Sequence, residues 1–459
     1  MRESLNPKLS RAIRLAAHSA LAVGVLTASS ACSIDKILKV EDVDVATPGS
    51  LNSAAALPIL LGGAVSRFHA AFIGTGDVNE SSGQIGYGGL LADELRSSDT
   101  FPTRNQVDQR SIQLDNGSNE SQFILLSQAR AAAQIASTKY MALDPSDPDM
   151  ALAFALDGYS TILFGEDYCS GVPFSTLTDA GQTVYGQPLT TAQIFQRAVA
   201  KFDSALAAPG ITAKYKNLAL VGKARAQLDL GLFADAGATA AQVTSGFVFN
   251  IESSITTTNQ YNGLYTFNIN TKRLTLADTE GTNGLNFLSS NDPRVTWKDT
   301  ASQAFDKTTN LIVQRKYGKR DSPAVLASYT EAQLIVAESK LANGEYNAPG
   351  GTLAILDTLR ASFGTDSLGA RILPNLTPAT TAAAQQDQLF RERAFWLYLT
   401  AHRLGDLRRL VRQYNRTQDK VFPTGDFFKG NPYGTDVNFP VPEVEKNNPN
   451  FHGCLDRNA

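Results

Sequence analysis

The sequence predicts a mainly α-helical protein in which divergent tetratricopeptide-like helix pairs form a scaffold interrupted by a long irregular, loop-rich region. Three observations predict it. Short amphipathic segments with apolar or small residues at three- and four-residue spacing recur along the chain, among them LLSQARAAAQIASTKYM, AQIFQRAVAKFDSALA and YTEAQLIVAESKLANG. Two such segments repeat an A-x6-G-x-[FY] spacing, with Ala224, Gly231 and Phe233 in one and Ala337, Gly344 and Tyr346 in the other. Between them, from about Phe247 to Pro323, helical periodicity disappears.

The chain opens MRESLNPKLSRAIRLAAHSALAVGVLTASSACSIDK. Arg2, Lys8, Arg11 and Arg14 make a positive region, Leu15 to Ala28 an apolar stretch too short to span a bilayer stably, and Ser29-Ser30-Ala31 a small-residue cleavage site. Residues 1–31 therefore read as an export signal that is removed. Cys32 follows directly and matches the bacterial lipobox, in which a lipid is attached to the thiol, although Ser29 stands where that pattern usually has Leu. The other reading is an ordinary signal peptide ending beside a chance cysteine. Residues 32–55 read as the lipidated cysteine and a tether punctuated by Pro48 and Gly49, and residues 56–459 as one helical domain with an irregular insert at about 247–323. By this reading no second apolar run approaches the roughly 18 residues of a membrane-spanning helix, which leaves the lipid as the expected attachment.

Export to an oxidising compartment gives the cysteines meaning. There are three, and a lipid on Cys32 leaves one pair, Cys169 and Cys454, which are expected to bond; the alternative is two free buried thiols. The chain-entropy argument credits so long a loop with about 5 kcal/mol. Such a bond would staple the C-terminal tail to the body.

In a helix-turn-helix repeat the first small residue admits the paired helix, the Gly ends the first helix and the aromatic wedges beneath the second. Gln227 and Lys340 occupy a place where the repeat favours a bulky apolar group, so divergent pairs are expected rather than regular tandem repeats. A second irregular stretch, GTGDVNESSGQIGYGGLLADELRSSDTFPTRNQVDQRS, lies early, and the two are expected to build one loop-rich face.

The residues of this chain offer no catalytic constellation. Its four histidines, His18, His69, His402 and His452, fall into no H-E-x-x-H or paired metal spacing, and there is no G-x-S-x-G. His402 reads as structural. The adjacent pairs Asp93-Glu94 and Glu166-Asp167 point apart on a helix and do not suggest a glycosidase. DPSDPD, from Asp144 to Asp149, lacks the EF-hand glycine and final Glu and reads as a solvated interhelical turn. No cofactor and no metal is expected, and the net charge of −3 argues against a nucleic-acid partner bound through phosphates. Binding is easier to motivate: Tyr87 and Phe101 in the first irregular segment, and Tyr261, Tyr265, Phe267 and Trp297 in the second, lie beside amides and hydroxyls that suit sugar rings or peptides. Each could equally anchor its own loop to the body.

Landmarks along most of the chain resemble the SusD/RagB-like outer-membrane lipoproteins of bacterial nutrient-uptake systems. They are Cys32, ADELRSSDTFPTRNQVD from Ala92, ILFGEDYCSGVPF, NDPRV from Asn291, AESKLANGE from Ala337, RERAFWLYLTAHRLGDLRRL from Arg391 and FPVPEVEKNNPNF from Phe439. The late motif departs at Ala401, where the family usually has Gly, and at Trp396, near its usual second Glu. Physically, Glu392, Trp396, Leu399 and Arg403 follow at helical spacing, with Arg403 in reach of Asp406, so that motif reads as a packed, ion-paired helix. VPEVEKNNPN reads as an extended strap folded back on the body.

The resemblance implies a non-catalytic, cell-surface ligand-capture protein, not an enzyme. It would act as the lid of a TonB-dependent, SusC-like outer-membrane β-barrel, with an oligosaccharide or peptide as ligand and a lipid holding it to the outer membrane. A lipid-anchored helical-repeat scaffold that binds only proteins is the alternative from another class, and a lipid-anchored hydrolase a third.

Overall fold

A helical turn at Ala54–Ala56 leads into α1 (Leu57–Phe72). The structure, a computed structural model, describes residues 52–78, 81–178 and 182–459, so the cleavage site, Cys32 and nearly all of the tether lie outside the described residues. Ala54–Phe72 is 19 residues long and apolar enough to cross a membrane, which corrects the reading that no such run follows the signal. Its stripe of Leu57, Leu61, Ala64, Phe68 and Phe72 is buried in the core, as in the central helix of a folded body.

After α2 (Gly83–Leu91), β1 (Leu95–Ser97) and α3 (Pro102–Asp108), the helical scaffold begins in earnest with α4 (Gly117–Leu143), α5 (Asp149–Asp167), α6 (Thr191–Leu206), α7 (Ala213–Asp229) and α8 (Phe233–Ala240). DPSDPD is the turn between α4 and α5, its Asp144 and Asp147 carboxylates accepting local backbone N–H groups. Each helix of the series packs on the next, and α1 packs on α4. Small residues set the spacing. A Cβ on Gly158 of α5 would lie 2.7 Å from the Phe202 ring and one on Gly222 of α7 only 2.2 Å, so Phe202 of α6 wedges between both neighbours because each presents a glycine.

The irregular region follows, holding β2 (Val248–Ile251), a π-helical turn at Tyr265–Asn270, β3 (Leu274–Leu276), β4 (Trp297–Gln303), β5 (Asn310–Gln314) and β6 (Ala324–Ser328). The scaffold resumes with α9 (Tyr329–Ala342), α10 (Thr352–Ser362), α11 (Ala382–Trp396) and α12 (Arg403–Arg412). Helix α9 packs on α8 and carries α10 and α11, so the insert sits between two consecutive members of one stack. Its ends are tied by the antiparallel pair β2–β6.

The two expected repeat corners share one geometry. Gly231 and Gly344 both have φ of +74°, and each ends its helix with the same crossed pair of bonds: Gly231 N–H to Leu228 and Leu232 N–H to Gln227, Gly344 N–H to Leu341 and Glu345 N–H to Lys340. Ala224 and Ala337 are fully buried. The polar Gln227 and Lys340 thus stand where their carbonyls, rather than their side chains, serve the repeat.

The two irregular segments meet as expected. Strands β1 and β3 pair antiparallel in the register Leu95↔Leu276 to Ser97↔Leu274. Ser98 N–H donates to the Arg273 carbonyl at 3.1 Å, Asp306 N–H to that of Ser98 at 3.0 Å, and Gly76 N–H to that of Thr258 at 2.8 Å.

The late motif departs from the expected single helix. Helix α11 stops at Trp396, Leu399 and Ala401 have φ of +53° and +59°, and α12 starts at Arg403. Glu392 and Arg403 therefore do not share a helical face. Arg403 grips Asp93 through two bonds of 2.6 and 2.7 Å, not Asp406, which is held instead by Arg393 and Arg409. His402 precedes α12, with Nε2 3.0 Å from Glu331 Oε1. The tail is fastened by a Cys169–Cys454 disulfide with a Cα separation of 6.0 Å. Around it, Phe439 N–H donates to Asp167, Cys169 N–H to Phe439, and Leu455 N–H to Ser170 at 2.8–2.9 Å.

Candidate ligand-binding site

The loop before β4 makes a shallow depression of about 360 Å³ whose lining includes Asn291, Asp292, Pro293, Thr296, Trp297 and Arg315. Asn291 turns the chain with φ of +50°, a conformation asparagine tolerates better than most residues. Asp292 then folds onto Arg294: Oδ1 accepts the Arg294 backbone N–H at 3.0 Å and its Nε at 2.9 Å, and Oδ2 accepts an η-nitrogen at 2.7 Å. Burial pushes the Asp292 carboxyl up, but these bonds and the Arg294 charge outweigh it and hold the group below its usual range.

Arg294 also binds Glu392 on α11 at 2.7 Å, and Arg360 on α10 binds the other oxygen of Glu392 at 2.7 Å. The wall of the depression is thus bolted to the helical stack. Trp297 opens β4 opposite Gln314, half-buried, and Arg315 stands exposed with its backbone N–H on the Thr296 carbonyl at 2.9 Å. An aromatic face beside an amide, a hydroxyl and a guanidinium, on a rigid support, can stack on a ring and orient it by hydrogen bonds.

The far end of the β4–β5 hairpin carries a second group. Arg273 lies between two exposed rings, 4.9 Å from Phe101 and 3.8 Å from Phe305, and its η-nitrogen bonds Asp99 at 2.6 Å. Phe101 from the first segment and Phe305 from the second are 40% and 37% exposed, so this platform is the joint product of both.

The six aromatics singled out in the sequence do not form one surface. Trp297 lines the depression and Phe101 the platform. Tyr87 is fully buried on α2, its ring edge-on to Phe439 at 6.4 Å, and Phe267 is fully buried beneath the Arg104 guanidinium at 4.7 Å; both are core residues, which corrects their place among ligand contacts. Tyr261 is half-buried, backed by Gly76 with Arg320 at 5.2 Å from its ring, and Tyr265 half-buried at the start of the π-helical turn. Sequence reasoning missed Arg273, Phe305 and Arg315; the cationic run QRKYGKR was the available signal for the last.

The acidic pairs are internal. In each, one carboxylate is clasped by an arginine, Asp93 by Arg403 and Glu166 by Arg225. The other is buried: burial pushes Glu94 up to about 8 and Asp167 well above its ordinary value. Among the described residues no cluster of three His, Cys, Asp or Glu is placed to hold a metal ion.

This stack of helix pairs with its irregular insert is similar in fold to solved structures of SusD superfamily proteins. The solved structures it matches include a SusD superfamily protein from Parabacteroides distasonis, with a TM-score of 0.66 at 12% identity over 87% of this chain and 98% of that one. Another, from Bacteroides thetaiotaomicron, gives 0.64 at 14% identity over 88% and 99%. A SusD-like carbohydrate-binding protein from Bacteroides fragilis gives 0.63 at 16% identity over 87% and 99%. At these identities the likeness is one of fold. No known family pattern and no curated protein matches the sequence.

Proposed function

We propose that the chain is a non-catalytic glycan-capture lipoprotein, anchored through Cys32 to the outer membrane and acting as the lid of a TonB-dependent β-barrel transporter. The observation that carries this reading is the Trp297 depression, an aromatic and polar recess on a SusD-like scaffold, braced by the Asp292–Arg294–Glu392–Arg360 chain. Two supports stand beside it. The fold likeness includes proteins described as carbohydrate-binding, and the signal-like stretch followed by a lipobox-like Cys32 supports export and lipid attachment. Capture needs only recognition by the lid; a single lipid tether keeps its effective concentration at the barrel high while permitting rotation.

The test is a pull-down of the tagged, lipidated protein from detergent-solubilised outer membranes, with calorimetry against oligosaccharides. A stoichiometric β-barrel partner, together with oligosaccharide binding that Trp297→Ala weakens at least about tenfold, is the expected result. A folded, lipidated protein with neither barrel nor sugar would return the chain to the protein-binding scaffold reading.

A further inference from the structure

The sugar-binding reading of the depression uses the hydrogen-bond donors of its guanidinium but not its charge. Two of the lining residues named above carry charge, Asp292 and Arg315. Asp292 is committed inside the protein, since Arg294 occupies both of its oxygens. Arg315 is exposed, and among the described residues its guanidinium meets no carboxylate and donates no hydrogen bond. Its backbone is nevertheless fixed, because its N–H closes on Thr296 beside the pair Trp297↔Gln314. The recess therefore presents one uncompensated cation, carried on a fixed stretch of backbone, next to its aromatic face.

Resting on the function proposed above, we propose that this depression selects acidic oligosaccharides: Trp297 stacks on a sugar ring, and Arg315 pairs with an acid group, a uronate carboxylate or a sulfate, on that ring or its neighbour. A planar guanidinium matches either oxyanion with two parallel N–H···O bonds, which a neutral sugar cannot reciprocate with charge. The surrounding field points the same way. Residues 314–321, QRKYGKRD, carry Arg315, Lys316, Lys319 and Arg320 against Asp321 alone, while Lys298 and Asp299 on β4 offset each other. Arg320 lies over Tyr261, and Lys316 donates to the Tyr398 carbonyl, so Arg315 is the cation of this run that faces the recess.

The experiment is isothermal titration calorimetry of the full lipidated chain in detergent with tetrasaccharides of galacturonate, of a sulfated glycosaminoglycan and of neutral glucose, at low and at 0.3 M salt. At least one acidic series should bind about tenfold or more tighter than the neutral one at low salt, and most of that advantage should vanish at high salt. Which acidic series binds identifies the acid group. Arg315→Gln should weaken acidic binding about tenfold, while Lys319→Gln, outside the depression, should not. Equal affinity for neutral and acidic sugars, or acidic binding untouched by Arg315→Gln, overturns the selectivity and leaves glycan capture standing. No binding of any sugar overturns both.

Discussion

Glu94 shows how burial sorts two neighbouring carboxylates. Asp93 leans on Arg403, whereas Glu94 lies fully buried with Oε1 accepting the Leu399 N–H at 2.8 Å, and burial pushes it up to about 8. Its folded value exceeds the ordinary 4.5, so over that interval the folded chain keeps a proton that the unfolded chain has released. The stability it contributes is complete below about pH 4.5 and is lost as the pH rises through about 8, a change of no more than about 5 kcal/mol. Urea unfolding between pH 5 and 8 should therefore show falling stability, and Glu94→Gln, which keeps an acceptor for Leu399, should flatten the curve; parallel curves would refute the assignment. Asp167, also raised, leaves a residual slope. The adjacent acids were legible in the sequence as a motif without catalytic geometry. Their division into paired and protonated members was not, because it depends on Arg403, some three hundred residues away in the chain.

At the scale of elements, the break between α11 and α12 is held from outside. Leu399 N–H goes to Glu94, the Leu399 carbonyl accepts Tyr317 Oη at 2.7 Å, and the Ala401 carbonyl accepts Arg225 at 2.8 Å, so these backbone groups of the two left-handed residues are met by side chains from other segments. Ala401 stands in this break with φ of +59°, a conformation that costs an alanine about 1–2 kcal/mol and a glycine almost nothing. Ala401→Gly should stabilise the protein by about 1 kcal/mol after allowing for the greater freedom of glycine in the unfolded chain, and a lowered denaturation midpoint would contradict this. Nothing local announces the break: RERAFWLYLTAHR contains neither Gly nor Pro, and its apolar spacing reads as continuous helix. The corners at Gly231 and Gly344 were legible for the opposite reason, since there the glycine itself enforces the turn. The site was half legible. Aromatic residues in an irregular segment are visible, but whether a ring faces inward, as Tyr87 and Phe267 do, is decided by packing across segments.

For the molecule as a whole, the disulfide joins residues 285 apart and fixes a tail that already pairs with the end of α5. Cys454→Ser should reduce the free energy of unfolding by a few kcal/mol, with about 5 as the ceiling from loop closure, and should expose the chain beyond about residue 440 to limited proteolysis. Unchanged unfolding and an uncut tail would show that the tail's hydrogen bonds suffice alone. The pairing was legible because only three cysteines share the chain and the first falls at a lipobox-like position.

That separation also dictates a schedule. A chain crossing a membrane from its N-terminus delivers Cys169 long before Cys454, and throughout the interval the one other thiol within reach is Cys32, across a shorter and entropically less costly loop. Acylation of Cys32 would close that wrong exit before the right partner arrives. If Cys32 is lipidated as proposed, anchoring and oxidation become ordered steps of one maturation, in which the lipid would guard the fidelity of a bond it never touches.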